Sequence, residues 1–138
     1  ANGTLTMTVT RAAQNSELAQ LAMDAVSPES LVRSLFLRML TRQPKRDELS
    51  VFSEALSENF ENRMVPVDEV VQPSALPPLR QVTWFNHLRP DANRIQQEVE
   101  RRVREGPTPD PRLRTDWREV YEDCVWSLLN HAEFVWMP

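Results

Sequence analysis

Between Asp116 and Asn130 the apolar side chains Trp117, Val120, Tyr121, Cys124, Val125, Leu128 and Leu129 recur at intervals of three and four. At about 100° per residue they form one continuous arc, so the segment predicts an amphipathic helix with a wide face committed to a core. Thr115 or Asp116 is placed to cap it, and Asn130 permits a break before a short terminal turn carrying Phe134 and Trp136. Trp126 projects outside the arc. Such a helix must bury its stripe against other elements, so the rest of the chain has to supply matching faces.

Those faces are present. Ser27-Pro28-Glu29 combines a capping hydroxyl, a proline suited to the first helical position and an acid at the positive helix end. The helix it starts runs to about Thr41, with Leu31, Val32, Leu35, Phe36, Met39 and Leu40 on one side. Leu37 falls on the opposite, polar side with Arg33, Ser34 and Arg38, and is the anomaly of that helix. Thr41-Arg-Gln-Pro44 ends it and starts another, whose stripe of Leu49, Phe52, Leu56 and Phe60 reaches to near Arg63. Upstream, Asn15 or Ser16 caps a short helix through about Ala25 with Leu18, Leu21, Ala22 and Ala25 on one face. Pro90-Asp91 opens a helix with a thin stripe of Ile95, Val99 and Val103 and supporting pairs Glu98 to Arg102 and Glu100 to Arg104, so it is predicted to be mostly solvated. Gly106-Pro-Thr-Pro-Asp-Pro111 breaks it.

Thr4 to Thr10 alternates polar and apolar residues, the period of a strand, yet Leu5, Val9, Ala12 and Ala13 also suit a helical stripe. No second run of that quality offers a pairing partner, which favours a helix or an irregular arm. Two glycines against eleven prolines agree with helices, because sheets need glycine at tight turns whereas proline starts and stops helices. The expected fold is therefore all-α, a single compact domain of about four to six helices. Prolines 66, 73, 77 and 78 forbid a long helix in residues 64–80, which reads as a long proline-rich loop. Residues 1–26 read as an N-terminal arm and short helix, and 27–138 as the helical domain proper.

The net charge of −4 argues against nucleic acid as a partner, and no apolar run approaches the roughly 20 residues of a membrane helix, so no membrane insertion is expected. The chain opens on Ala1 rather than Met, and the expectation is a segment of a longer protein. Cys124 is the only cysteine, which excludes an internal disulfide and any cysteine-pair metal motif.

The residues that carry chemistry give no catalytic constellation. His131 and Glu133 form a His-x-Glu pair, but the Pro-Cys-x-x-Cys half of a zinc deaminase site is missing, so no metal and no cofactor is assigned. Cys124 sits in the apolar arc, where a thiol is poorly placed as a nucleophile for His87 or His131 to activate. The acid pairs Asp47-Glu48, Asp68-Glu69 and Glu122-Asp123 read as solvated surface. The basic residues around Thr41 superficially fit a helix-turn-helix, but Glu54, Glu58 and Glu61 line the second helix where phosphates would lie. Tryptophans more often fill cores than line platforms. Trp84, Asn86 and His87, an aromatic beside polar groups, form the candidate ligand contact. Leu37 and Trp126, each off its helix's buried face, form the candidate interaction surface.

Several of these segments, taken in order, resemble a known family. They are the Leu-Phe-Leu-Arg-Met-Leu-Thr-Arg-Gln-Pro run from Leu35 to Pro44 followed by Glu48, and Val82 to Leu88. Then come Gly106-Pro-Thr-Pro109 with Arg112 and Leu113, Asp116 to Arg118, Trp126 to Asn130, and Glu133 with Phe134. The series, spread over about Ser27 to Pro138, resembles the C-terminal part of planctomycete secreted-domain proteins, the domain of unknown function numbered 1553. His131 stands where that family more often has Ser. The resemblance implies a piece of a larger exported or periplasmic bacterial protein, with a cytochrome c domain or carbohydrate-binding modules elsewhere in the chain, and it implies no catalytic residues. The resulting expectation is a non-catalytic helical accessory or interaction domain whose partners are other domains of the parent protein. The alternatives are a module that binds or processes extracellular polysaccharide, or a partner of the cytochrome c domain.

Overall fold

The computed structural model describes residues 9–74, 77–78, 80, 82–84 and 87–131. Among them run five α-helices, α1 (Glu17–Asp24), α2 (Pro28–Leu40), α3 (Arg46–Ser57), α4 (Ala92–Glu105) and α5 (Thr115–Leu129), with one 3-10 turn at Val67–Glu69. No strand occurs among the described residues, only isolated bridges between Ala13 and Pro109 and between Met64 and Leu113. The all-α expectation is met. Val9 and Thr10 have helical backbone, while residues 4–8 of the alternating run lie outside the described residues.

Helix starts follow the local chemistry. Ser16 Oγ accepts the Ala19 N–H at 3.1 Å at the head of α1, and Ser27 Oγ accepts the Ser30 N–H at 3.1 Å at the head of α2, where Pro28 and Glu29 complete the start. At α3 the Glu48 carboxylate reaches back to accept the Lys45 N–H at 2.7 Å, which is half of a capping box. The α2–α3 corner turns through Thr41 in the left-handed region at φ 54°. Two boundaries differ from expectation. α3 ends at Ser57 rather than near Arg63, because Asn59 turns left-handed at φ 60° and the chain proceeds to Arg63 in tight turns. α5 is preceded by Arg114 without a side-chain cap, so Thr115 and Asp116 lie in its first turn rather than before it.

α2 is the central helix: it packs against α1, α3 and α5, and α3 also packs against α5. Leu31, Val32, Leu35, Phe36 and Leu40 of α2 meet Leu56 of α3 and Trp117, Tyr121, Cys124, Val125 and Leu128 of α5. Ala12, Ala19, Ala22, Phe60 and Leu113 belong to the same core, so the N-terminal segment contributes to it directly. Val120, expected within the buried arc of α5, is instead exposed, and Leu129 is half-buried, because they stand at the two edges of the arc. α4 takes no part in this packing and buries only Ala92, as its thin stripe predicts. Of residues 64–80, Met64 and Val65 are tied to Leu113 and Arg112 and Val67–Glu69 form the 3-10 turn; residues 75, 76 and 79 lie outside the described residues.

Two polar features of the core have measurable consequences. Asp110 is 1% exposed, and its carboxylate accepts hydrogen bonds from the Arg112 N–H at 3.0 Å, Nε at 3.0 Å and Nη2 at 2.7 Å. Its own N–H donates to Ala12 O at 2.9 Å, and the Gln14 N–H donates to Thr108 O at 3.0 Å, so the turn after α4 is laced to the N-terminal segment. The Arg112 guanidinium holds the Asp110 carboxyl below the usual carboxylate range, outweighing the opposing effect of burial. A lowered folded-state pKa means that this stabilisation is present above the unfolded value of about 3.9 and is lost as pH falls through the folded one. Asp110→Asn is therefore expected to cost about 1–2 kcal/mol at neutral pH and to flatten the acid limb of stability, read by urea denaturation across a pH series. An acid limb as steep in the variant as in the parent chain would contradict this role.

Ser53, on α3, is buried, and its Oγ has no hydrogen-bond partner. Burying an unpaired hydroxyl costs on the order of 1–3 kcal/mol, and alanine is also the better helix former. Ser53→Ala is expected to raise stability by about 1 kcal/mol in the same denaturation assay.

Candidate functional site

Trp84 and His87 come together as the sequence reading paired them. Their rings stack at 4.9 Å between centroids with planes 29° apart, and the His87 ring Nδ1 contacts the Trp84 carbonyl oxygen. The His87 N–H donates to Thr83 O at 3.0 Å, a second tie beside the ring stack. Trp84 is 82% exposed, which corrects the expectation that tryptophans here would pack in the core before serving as platforms. Asn86 lies outside the described residues.

Leu37 and Trp126 are 47% and 51% exposed, each on a helix whose opposite face fills the core. Trp126 edges a shallow cavity of about 190 Å³ with Thr10, Arg11, Glu122 and Asp123. The floor of this region is fixed by Glu122, whose Oε1 accepts from Arg118 Nη1 at 2.9 Å and from the Ala12 N–H at 2.9 Å. Glu122 is thus a tie between α5 and the N-terminal segment, not the solvated acid its sequence neighbourhood predicted. Trp136 and Glu133 lie outside the described residues.

Glu48 likewise departs from the surface role expected of it. Arg42 grips it with two bonds of 2.8 Å, and this guanidinium, with the Lys45 N–H, lowers its carboxyl to about 2. His131 Nε2 lies 3.7 Å from the same carboxylate, and its N–H donates to Leu128 O, which places it at the break after α5 as expected. Cys124 is buried, and burial pushes its thiol up to about 11, unlike a nucleophile. Among the described residues no three His, Cys, Asp or Glu side chains converge as a metal site would need, and no helix is long and apolar enough to cross a membrane.

The sequence reading passed over Arg63. Its side chain is buried, and the fork donates to Ala22 O at 2.8 Å, Met23 O at 3.1 Å, Ala25 O at 2.7 Å and Phe60 O at 2.9 Å. It also lies over the Phe60 ring, 3.9 Å from its centroid. α1 has no basic residue in its last turn, so Arg63 supplies from about forty residues away the positive charge that its carbonyl end attracts. Only the missing local counter-charge on α1 hinted at this in the sequence.

The class defined by these observations is an all-α domain with a tightly tied core and isolated apolar or aromatic side chains on its outside. No family model, curated protein or solved structure matches the chain.

Proposed function

We propose that this chain is a non-catalytic helical interaction domain that docks onto other parts of a larger exported bacterial protein through Leu37 and Trp126. One observation carries the reading: two large apolar side chains stand about half in water on helices whose core faces are already complete. Covering apolar surface returns roughly 25 cal/mol per Å², so these positions favour contact with a partner over solvent. The resemblance to the planctomycete secreted-domain proteins supports the larger context and the exported or periplasmic compartment. The test is co-purification of this domain with the remainder of its parent polypeptide, supplied as a separate chain. Leu37→Glu with Trp126→Glu should abolish association while leaving the chain folded, at a cost of about 1–3 kcal/mol from the covered half of each side chain. Association unchanged by the pair of substitutions would refute the reading.

A second reading is favoured by the exposed Trp84–His87 stack, a flat aromatic surface of the kind on which a sugar ring packs. It makes the domain a polysaccharide-binding module. Retention on a polysaccharide affinity gel that disappears in Trp84→Ala would support it, and retention indifferent to that change would count against it.

A further inference from the structure

Away from both surfaces, an open groove of about 340 Å³ runs between the proline segment and one side of α4. Pro77, Pro78 and Ile95 give it apolar walls, and its charged lining is three arginines, Arg80, Arg94 and Arg102, against the single Glu98. Glu98 is already neutralised: Arg101 holds it at 2.6 and 3.0 Å and Arg102 at 3.1 Å, and these guanidiniums lower its pKa. Arg102 also donates to Pro77 O at 2.6 Å, which fixes the proline wall to the helix and leaves Arg102 committed. The other two guanidiniums are not committed. Arg80 meets Asp91 only at 3.6 Å with its side chain 66% exposed, and Arg94 makes no ion pair or hydrogen bond among the described residues.

We propose that this groove binds a small organic carboxylate, its apolar body lying against Ile95 and the two prolines and its anionic end between Arg80 and Arg94. The open groove has room for a molecule the size of benzoate. A planar guanidinium engages a carboxylate through paired N–H donors, which gives orientation as well as charge. The long Arg80–Asp91 contact of 3.6 Å leaves the exposed Arg80 guanidinium able to turn toward a second carboxylate.

The test is titration of the whole chain with benzoate, followed by the amide shifts of α4 in nuclear magnetic resonance, beside parallel titrations with benzamide and with inorganic phosphate. Benzoate is expected to bind with Kd on the order of 1 mM, the range of a carboxylate held by two exposed guanidiniums plus a small apolar contact. Arg94→Ala and Arg80→Ala should each weaken it tenfold or more, with unchanged circular dichroism because both side chains are exposed. Benzamide should bind at least tenfold more weakly than benzoate. Equal binding of benzamide would remove the charge recognition, equal binding of phosphate would remove the apolar walls, and unchanged binding in Arg94→Ala would place the ligand elsewhere; each result overturns the proposal.

Discussion

Replacing Arg63 by Met is expected to destabilise the chain by about 3–5 kcal/mol, a large loss for a polar side chain, because several carbonyls lose their donors at once. The aliphatic stem would be kept, so the loss isolates the guanidinium. Without it, the carbonyls of Ala22, Met23 and Ala25 lose the guanidinium donors, while Phe60 O keeps the Arg63 backbone N–H, and an acceptor left unpaired costs roughly 1–3 kcal/mol where it is buried and less where water can reach it. The charge at the end of the α1 dipole disappears at the same time. Arg63→Lys should recover only part of the loss, because an ammonium cannot span carbonyls on two sides as the fork does. Urea denaturation followed at a helical circular-dichroism wavelength reads both changes. A loss below about 1 kcal/mol in Arg63→Met would show that water replaces the guanidinium freely.

Trp117→Ala is the second large effect, also expected at about 3–5 kcal/mol. The indole stacks on Tyr121 at 5.3 Å, meets the Phe60 ring edge-on at 6.1 Å and donates from Nε1 to Leu56 O at 3.0 Å, near the end of α3. Removing it opens a cavity at the meeting of α3 and α5 and unpairs that carbonyl. Because the Arg63 guanidinium also lies 6.0 Å from the Trp117 ring centroid and both residues bracket Phe60, the two substitutions should not be additive. The doubly substituted chain should lose less than the sum by about 1 kcal/mol or more, measured as a double-mutant cycle. Strict additivity would mean that the clamp and the aromatic cluster act separately.

The contrast between these two residues explains what could be read in advance. Trp117 was legible because its neighbours in the fold recur at helical spacing along its own segment, and the same periodicity located α1, α2, α3 and α5. Arg63 was not, since its partners at Ala22 to Ala25 lie in another helix and no local pattern marks a cation that will be buried. Glu122 was missed for the same reason, since it binds the Ala12 N–H brought near only by the fold, whereas the grip of Arg112 on Asp110 is local and only its burial was not written in the spacing. α3 looked longer than it is because Phe60 falls four residues after Leu56, a spacing that a left-handed turn at Asn59 satisfies as well as a helix does. Of the site residues, Leu37 and Trp126 were marked by a break in their own helix's stripe, and the exposed Trp84 by its polar surroundings. The groove at Arg80 and Arg94 requires the proline segment to approach α4, which spacing does not encode.

Amide hydrogen exchange under native conditions addresses the central claim, that α1, α2, α3 and α5 close around one core held at the α1 end by Arg63. The slowest amides of those four helices should exchange through one common opening with a shared free energy, while α4 exchanges much sooner. Exchange of α1 through its own low-energy opening, or protection of α4 equal to that of α5, would contradict it.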